Sequence, residues 1–185
     1  MGRGKKIVDI ELVIEEAIAL IEEGGVEEFS TRRLASRLGI SAMTLYNYYE
    51  NRGAILKGAL SMGQGLMWKG LDAEVASWRS QGGSLVGAYR ILADHLLAFA
   101  QARPSLCRFL LTESAGNSWS AFGSQIEKVS GLSPAEGELA RDVYLFELLA
   151  FALALKVISG GETAEGFRSL VAEGYDRLLS RYDAD

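Results

Sequence analysis

A cluster of small apolar and hydrogen-bonding side chains between residues 42 and 48 has the chemistry needed to contact DNA bases. Its members are Ala42, Met43, Thr44, Tyr46, Asn47 and Tyr48. An asparagine amide can form two hydrogen bonds with an adenine edge, and the methyl groups of alanine, methionine and threonine can meet a thymine methyl. Tyrosine and threonine hydroxyls also suit phosphate oxygens. On a helix with Leu45 turned inward, these side chains would form a surface that reads DNA.

The elements that must hold this segment are predicted to be two short helices joined by a tight turn. Ala35 is small enough to let the second helix cross the first closely. Gly39 stands where the chain turns sharply, and only glycine accepts a left-handed backbone there without strain. Leu45 would pack the second helix against the first. The other residues of this small core are Leu34, Leu38 and Ile40. The pattern predicts a helix-turn-helix that is rigid enough to enter a major groove.

Residues on either side of the reading segment supply groups that suit the phosphate backbone. Thr31 and Arg32 begin the first of the two helices, where free backbone N–H groups also attract anions. Arg52 follows the second helix, and the basic start of the chain could lie along the DNA as an arm. That arm would contain Arg3, Lys5 and Lys6. The net charge is −5, but residues 30–49 carry three arginines and no acid, which predicts a local basic surface.

The tyrosines of this region also have a structural interpretation as core aromatics. For Tyr49 we prefer that interpretation. For Tyr46 contact with DNA is the favoured interpretation.

The same residues resemble the tetracycline-repressor (TetR) family of bacterial one-component regulators. The likeness rests on Ser30-Thr31-Arg32-Arg33-Leu34-Ala35, on Leu38-Gly39-Ile40-Ser41, and on Thr44-Leu45-Tyr46-x-Tyr48-Tyr49 followed by Asn51-Arg52. It covers about the first 55 residues, and the rest is similar to the family only in length and helical character. The resemblance implies a cytoplasmic homodimer that binds an operator. It also implies that Arg52 takes a phosphate-binding role often held by lysine.

Helical periodicity runs through the whole chain and predicts an all-α fold. An N-terminal three-helix domain that contains the helix-turn-helix is expected over residues 1–55, and a larger helical ligand-binding and dimerisation domain over 56–185. Helices are predicted from Asp9 to Ile21, Thr31 to Leu38, Ala42 to Tyr48, Asn51 toward Trp78, Ser84 to Ala102, Pro104 to Leu111, Ser133-Pro134 to Ile158, and from Glu162 or Thr163 onward. A loop is expected over 114–120.

The helix predicted after Asn51 is unusually rich in glycine. Its glycines are Gly58, Gly63, Gly65 and Gly70. Each costs about 0.5–1 kcal/mol relative to alanine inside a helix. They mark either a flexible lever between the two domains or places where helices pack closely, and the sequence leaves both open.

The last two long helices predict a dimer. Between residues 143 and 158 only Glu147 and Lys156 are charged, so this helix is expected to be buried on more than one face. A membrane span would need about 18 or more apolar residues with few charges, and this run is shorter. The final helix repeats apolar residues at helical spacing from Phe167 to Tyr182. Two such helices per subunit can form a four-helix bundle across a two-fold axis, and an entirely intramolecular core is the alternative.

Aromatic and polar residues on otherwise apolar helices are candidates for an effector site. They are Trp68, His95, Phe99, Phe109, Trp119, Tyr144, Glu147 and Phe151. Core packing is the competing interpretation for each aromatic residue, and His95 fits a satisfied core histidine better than a ligand contact. A carboxylate at position 147 needs a partner, which is either a cationic ligand or a protein arginine.

The sequence argues against an enzyme, and it predicts no metal site and no cofactor. One histidine and one cysteine cannot form a zinc site alone, and the Gly-Gly pairs follow helices rather than strands. We therefore expect a ligand-responsive, sequence-specific transcriptional regulator, most simply a repressor that a small apolar molecule releases from a pseudo-palindromic operator. The alternatives are a DNA-binding protein controlled by a protein partner and a redox sensor that uses Cys107.

Overall fold

The computed structural model describes residues 9–84, 86–114 and 137–183, and within these ranges the regular structure is helical without strands. This confirms the predicted all-α class. The helices are α1 (Ile10–Gly24), α2 (Thr31–Arg37), α3 (Ala42–Tyr46), α4 (Arg52–Met67), α5 (Leu71–Ser80), α6 (Ala88–Ala102), α7 (Pro104–Ser114), α8 (Glu138–Ile158), α9 (Ala164–Leu178) and a 3₁₀ turn (Ser180–Tyr182). Within the described part, none of them combines the length and apolar character that a bilayer crossing requires.

The chain divides into two compact units, Met1–Gly65 and Leu66–Asp185. The sequence-based boundary between residues 55 and 56 falls inside α4, so most of that helix belongs to the first unit. The predicted loop over 114–120 and the predicted helix start at residues 133–134 lie outside the described residues.

The first unit is built around α1, whose ends are set by local chemistry. Asp9, where the helix was predicted to begin, is its N-cap: the carboxylate accepts hydrogen bonds from the backbone N–H groups of Glu11 and Leu12 at 3.0 and 3.4 Å. The helix ends at Gly25, where φ is 78°. One face of the helix is buried in the unit, through Val13, Ile14, Ala17, Ile18, Leu20 and Ile21.

The helix-turn-helix is formed by α2 and α3, each of which begins at a serine cap. Ser30 Oγ accepts from the backbone N–H of Arg33 at 3.2 Å, and Ser41 Oγ accepts from that of Thr44 at 3.1 Å. Gly39 lies between the helices with φ 63°, a left-handed conformation that favours glycine. Leu34, Ala35 and Leu45 are buried, as the predicted frame requires, whereas Leu38 and Ile40 are half-buried.

The single long helix predicted from Asn51 toward Trp78 is wrong, because the chain breaks between α4 and α5. Gly70 adopts φ 92°, which a helix cannot contain, and Leu71 then begins α5 with its side chain buried. The change of direction allows Leu71 and Val75 to be buried in the second unit, and this apolar burial stabilises the fold. Periodicity alone did not reveal it, because the apolar spacing continues across the glycine.

The second unit packs α8 between α6 and α9, with α7 against α6 and α8. Its core consists of large apolar side chains at or near zero exposure, among them Tyr89, Leu96, Leu97, Phe109, Phe146 and Phe167. Thr163 caps α9 by accepting from the backbone N–H of Gly166 at 3.0 Å, as one of the two predicted starts requires. The apolar helix predicted to end at Ile158 is α8, which buries one side between Asp142 and Ala154 and leaves Tyr144 and Leu145 exposed.

Candidate nucleic-acid interface and ligand site

The exposed face of α3 carries the side chains that were predicted to read DNA. Met43 is 74% exposed, Tyr46 45% and Tyr48 40%, whereas Leu45 is fully buried. Asn47 is also exposed, and Ala42 and Thr44 are half-buried. A contiguous group of exposed apolar and aromatic side chains is typical of an interaction surface, whereas single ones are common on any protein. The predicted helix end at Tyr48 is wrong, since α3 ends at Tyr46. We call Ala42, Met43, Thr44 and Tyr46 of α3, together with Asn47 and Tyr48 directly after it, the α3 surface.

Hydroxyl groups hold parts of the α3 surface in place. A hydrogen bond of 3.0 Å joins Thr31 Oγ1 at the start of α2 to the hydroxyl of Tyr46. A second bond of 2.9 Å joins Ser41 Oγ to Thr44 Oγ1. The sequence suggested Thr31 and Tyr46 as separate phosphate contacts, but it did not show that they touch. Their contact orients the tyrosine before any ligand arrives.

The arginines of the helix-turn-helix are less available than their number suggests. Arg37 pairs with Glu16 and Glu23 of α1 at 2.5 Å each, and Arg33 pairs with Glu28 at 3.4 Å. Within the described residues Arg32 is exposed and makes no ion pair. The expected basic surface of three arginines is therefore corrected to one centred on Arg32, because acidic residues of α1 and the following loop neutralise the other two.

Arg52 has a structural role inside the first unit. Its Nη2 donates to the carbonyl of Val26 at 2.9 Å, and its Nε donates to that of Phe29 at 3.4 Å. The guanidinium also lies 5.4 Å from the centre of the Phe29 ring. These contacts tie the start of α4 to the loop between α1 and α2, and they occupy donors that the family resemblance assigned to phosphate.

Tyr49 fits its structural interpretation. Its side chain is half-buried, and its hydroxyl donates to the carbonyl of Ile10 at 3.2 Å. Burial raises the pKa of Tyr49 above its ordinary value. The predicted basic arm at Arg3, Lys5 and Lys6 lies outside the described residues.

The candidate ligand residues divide between the core and the surface of the second unit. Trp68, Phe109, Glu147 and Phe151 are buried, and Phe99 is half-buried. Tyr144 is 44% exposed, so the structure does not place it among the buried candidates. Trp119 lies outside the described residues.

His95 is engaged on both sides of its ring. Its Nε2 lies 2.8 Å from the carbonyl oxygen of Met67, and its Nδ1 lies 2.9 Å from Glu74 Oε1. The ring stacks near Trp68, with 6.4 Å between ring centres. The geometry supports the structural interpretation of this histidine, which joins the end of α4 to α5 and α6.

Glu147 is the unusual member of the buried set. Its side chain is 4% exposed, and Oε1 has no hydrogen-bond partner in the described part of the chain. Burial raises the pKa of Glu147 to about 7. A carboxylate in this position is held at a free-energy cost that its surroundings do not offset.

A cleft of about 430 Å³ opens elsewhere in the second unit. Residues of the α5–α6 turn, α6 and the end of the chain line it, including Trp78, Gln81, Ser84, Arg90, Tyr175 and Asp183. The Tyr175 hydroxyl donates to Asp183 Oδ2 at 2.7 Å, and Ser84 Oγ donates to the other carboxylate oxygen. None of these residues was a predicted ligand contact. The sequence signal was only a Gly-Gly-Ser turn, which we interpreted as a helix cap.

Comparison with known proteins identifies the helix-turn-helix. Residues 13–59 match the sequence profile described as bacterial regulatory proteins, tetR family. The helix-turn-helix segment of this chain is therefore of the tetR type. The chain is 44% identical over 46 residues to the class D tetracycline repressor of Escherichia coli and, equally, to the class H repressor of Photobacterium damsela subsp. piscicida. Each match covers 25% of this chain and 21% of the relative, so the chain aligns with about a fifth of those repressors.

A longer match reaches beyond the helix-turn-helix. An HTH-type transcriptional repressor of Streptomyces coeruleorubidus, DrrR1, is 29% identical over 106 residues, which are 57% of this chain and 37% of that protein. Solved structures extend the likeness of fold to nearly the whole chain. A TetR regulator from Rhodococcus sp. RHA1 has a TM-score of 0.65 at 16% identity, covering 92% of this chain and 96% of its own. A TetR regulator from Marinobacter aquaeolei VT8 has a TM-score of 0.58 at 20% identity, covering 91% and 94%.

Proposed function

We propose that this protein is a sequence-specific DNA-binding repressor of the TetR family, which a small, largely apolar molecule releases from its operator. The observation that carries the proposal is the α3 surface, whose tyrosines and Met43 remain exposed on a helix fixed by buried Leu45. Two similar proteins, the class D tetracycline repressor and DrrR1, are described as repressors, which favours repression over activation. Because DNA is the partner, the proposal also implies a cytoplasmic protein.

Each side chain of the α3 surface has a role under this proposal. Asn47 reads an adenine edge, while Ala42, Met43 and Thr44 meet thymine methyl groups. The hydroxyls of Tyr46 and Tyr48 contact phosphates, with Thr31 and Arg32 beside them on α2. Arg52 acts indirectly, because its contacts with Val26 and Phe29 hold α4 in the first unit.

We propose a homodimer through α8 and α9, which would present two α3 helices to one operator. Tyr144 and Leu145 on α8 and Leu170 on α9 are exposed by 44, 42 and 37%, although they are large and apolar. Burial against a second copy would remove this apolar area from water. Two reading helices about 34–36 Å apart would fit successive turns of a pseudo-palindrome.

The effector would act by binding better to a dimer whose reading helices no longer match the operator spacing. It can shift the equilibrium only by the difference in its affinity for the two states. Buried candidates for its site are Trp68, Phe109, Glu147 and Phe151, and Phe99 lies at their edge. A mostly apolar site with a few polar groups is usual for small ligands.

Two other modes of control are the alternatives. A protein partner could take the place of the effector, and loss of effector binding with intact DNA binding would favour that mode. Control by oxidation of Cys107 is disfavoured, because its thiol is fully buried and burial raises the pKa of Cys107 to about 12.

Selection of bound fragments from random-sequence DNA by the purified chain, at a stated salt concentration, tests the proposal. An enriched pseudo-palindrome is expected, with binding lost in Thr44→Ala and Tyr46→Ala. Arg79→Ala, which removes an exposed cation of α5 instead, serves as the control and should select the same site. A folded dimer that enriches no sequence would contradict the proposal.

A further inference from the structure

Two carboxylates are buried on α8, and they differ in their hydrogen-bond partners. Asp142 is 3% exposed and Glu147 is 4% exposed. Asp142 accepts hydrogen bonds from the Arg181 guanidinium, from the Tyr182 hydroxyl at 3.0 Å and from Arg141 at 3.3 Å. These contacts lower the pKa of Asp142 despite the opposing effect of burial. Asp142 shows what a buried structural carboxylate looks like in this protein.

Glu147 has none of this support. In the part of the chain that the structure describes, no lysine, arginine or histidine lies within ion-pair distance of it, and Oε1 accepts no hydrogen bond. The helical positions before and after it on the same face, Val143 and Phe151, are 5 and 4% exposed. An acceptor among apolar neighbours without a donor is destabilising in the isolated protein.

We propose that Glu147 is the anchor for a protonated amine carried by an otherwise apolar effector. This inference rests on the proposed effector control and names the chemical class of the ligand. An ammonium group supplies both the positive charge and the N–H donors that an ionised carboxylate lacks, and such charge-assisted bonds are the strong ones. The apolar body of the ligand would match residues such as Val143 and Phe151, whereas a neutral or anionic ligand would leave the carboxylate unpaired.

The affinity for an amine should depend on pH in the direction set by ionisation of the Glu147 carboxylate. Burial raises the pKa of Glu147 to about 7, so the group is mostly neutral at pH 6 and mostly ionised at pH 8. The amine stays protonated across this range. Its affinity should therefore rise about 10-fold from pH 6 to pH 8, and binding near pH 7 should release protons from the protein.

Three probes with one apolar body and different charge test the assignment on the full chain. They are 4-tert-butylbenzylamine, 4-tert-butylbenzyl alcohol and 4-tert-butylbenzoate, titrated by calorimetry at pH 6 and pH 8 in buffers of different ionisation enthalpy. The amine is expected to bind about 10-fold or more tightly than the alcohol at pH 8. Glu147→Gln should abolish the preference and the pH dependence, while Glu165→Gln, at an exposed position of α9, should keep both.

The melting temperature without ligand tests whether a group of the protein itself pairs with the Glu147 carboxylate. Because the pKa of Glu147 is raised, its protonated carboxyl favours the folded state at low pH. This contribution to the stability of the fold is lost as pH rises through about 7 and the group ionises. Glu147→Gln and Glu147→Leu should therefore melt at least as high as the unchanged protein at pH 8, with a smaller relative gain at pH 5. Lower melting of both variants at pH 8 would show that a protein group pairs with Glu147, and would overturn the proposal.

The remaining outcomes also decide the question. Amine binding no tighter than alcohol binding, absence of amine binding, or an amine affinity that Glu147→Gln leaves unchanged would each overturn it. These titrations contain no DNA, so their failure is separate from failure to select an operator. If the chain binds the amine but selects no DNA, the assignment of Glu147 as an amine anchor stands and the proposed repressor function is contradicted.

Discussion

Single hydrogen bonds decide how far the α3 surface is organised before it meets DNA. The contact between Thr31 and Tyr46 crosses from α2 to α3, and the contact between Ser41 and Thr44 lies within the cap of α3. A side chain already held in position loses less conformational entropy on binding. Hydroxyl pairing is therefore a way for a small exposed helix to gain affinity without additional charge.

Removing the Thr31 hydroxyl while keeping its shape should weaken DNA binding. We expect Thr31→Val to lose about 3- to 10-fold in operator affinity, since a net hydrogen bond is worth about 0.5–1.5 kcal/mol. Fluorescence anisotropy with the selected operator measures it, and Tyr46→Phe completes a double-mutant cycle in which the two losses should not add. Thr112→Val, whose hydroxyl donates to a carbonyl within α7, should bind DNA normally. Additive losses would contradict the coupling.

The single cysteine should be chemically inert in the folded protein. Cys107 is fully buried, and burial raises its pKa to about 12, so thiolate is scarce at neutral pH. We expect Ellman's reagent to react about 100-fold or more slowly with the native chain than with the chain unfolded in guanidinium chloride. Rapid reaction of the native protein would restore the redox-sensor alternative.

At the scale of elements, the glycines of α4 and the turn after it have different roles. A Cβ at Gly58 would lie 2.6 Å from Ile14 Cδ1, so this glycine permits close packing of α4 on α1. Gly70 provides the left-handed residue that separates α4 from α5. Gly65 has open space around its Cβ position and remains the position where a flexible lever is still possible. Close packing of helices therefore explains Gly58, whereas the lever stays a prediction.

Alanine at Gly65 and at Gly70 should change stability in opposite directions. Neither Cβ would meet an atom within 4 Å, so the two sites differ mainly in backbone conformation. Gly65→Ala should raise the free energy of unfolding by about 0.5–1 kcal/mol through helix propensity, and Gly70→Ala should lower it by about 1–2 kcal/mol through its positive φ. Urea denaturation measures both. Effector-induced release that is unchanged in Gly65→Ala would argue against a lever at that position.

At the scale of the molecule, the exposed apolar side chains of α8 and α9 are the basis of the proposed homodimer. They lie on the two helices that also form much of the second unit's core, so one pair of helices would serve folding and association together. Association at this surface would be lost before the fold is, because the exposed side chains contribute little to the core of one chain.

A charge on this surface should produce a folded monomer. We expect Leu145→Arg to convert the dimer to a monomer in sedimentation equilibrium with little change in circular dichroism, and to weaken operator binding strongly. Leu12→Arg is the matched control, since Leu12 is 44% exposed on α1 and Leu145 is 42% exposed on α8. A Leu145→Arg protein that remains dimeric would place the interface elsewhere.

The sequence by itself determined the features that depend on neighbours along the chain. Caps at Asp9 and Ser41, the left-handed Gly39 and inward Leu45 follow from local hydrogen bonding and helical spacing. The all-α class and the exposed α3 surface follow from the same short-range rules. These features were predictable because each is fixed within one or two turns of helix.

Tertiary structure alone decided the features that depend on distant residues. The pairing of Arg37 with Glu16 and Glu23 neutralised a charge of the predicted basic surface. The bonding of Arg52 to the α1–α2 loop occupied hydrogen-bond donors that the sequence had offered to DNA. The same long-range packing gave Asp142 its partners and left Glu147 without them, although both are acids on one helix. Local spacing cannot show which side chains from other elements arrive at a given face, and that arrival decides whether a charge is free, paired or buried.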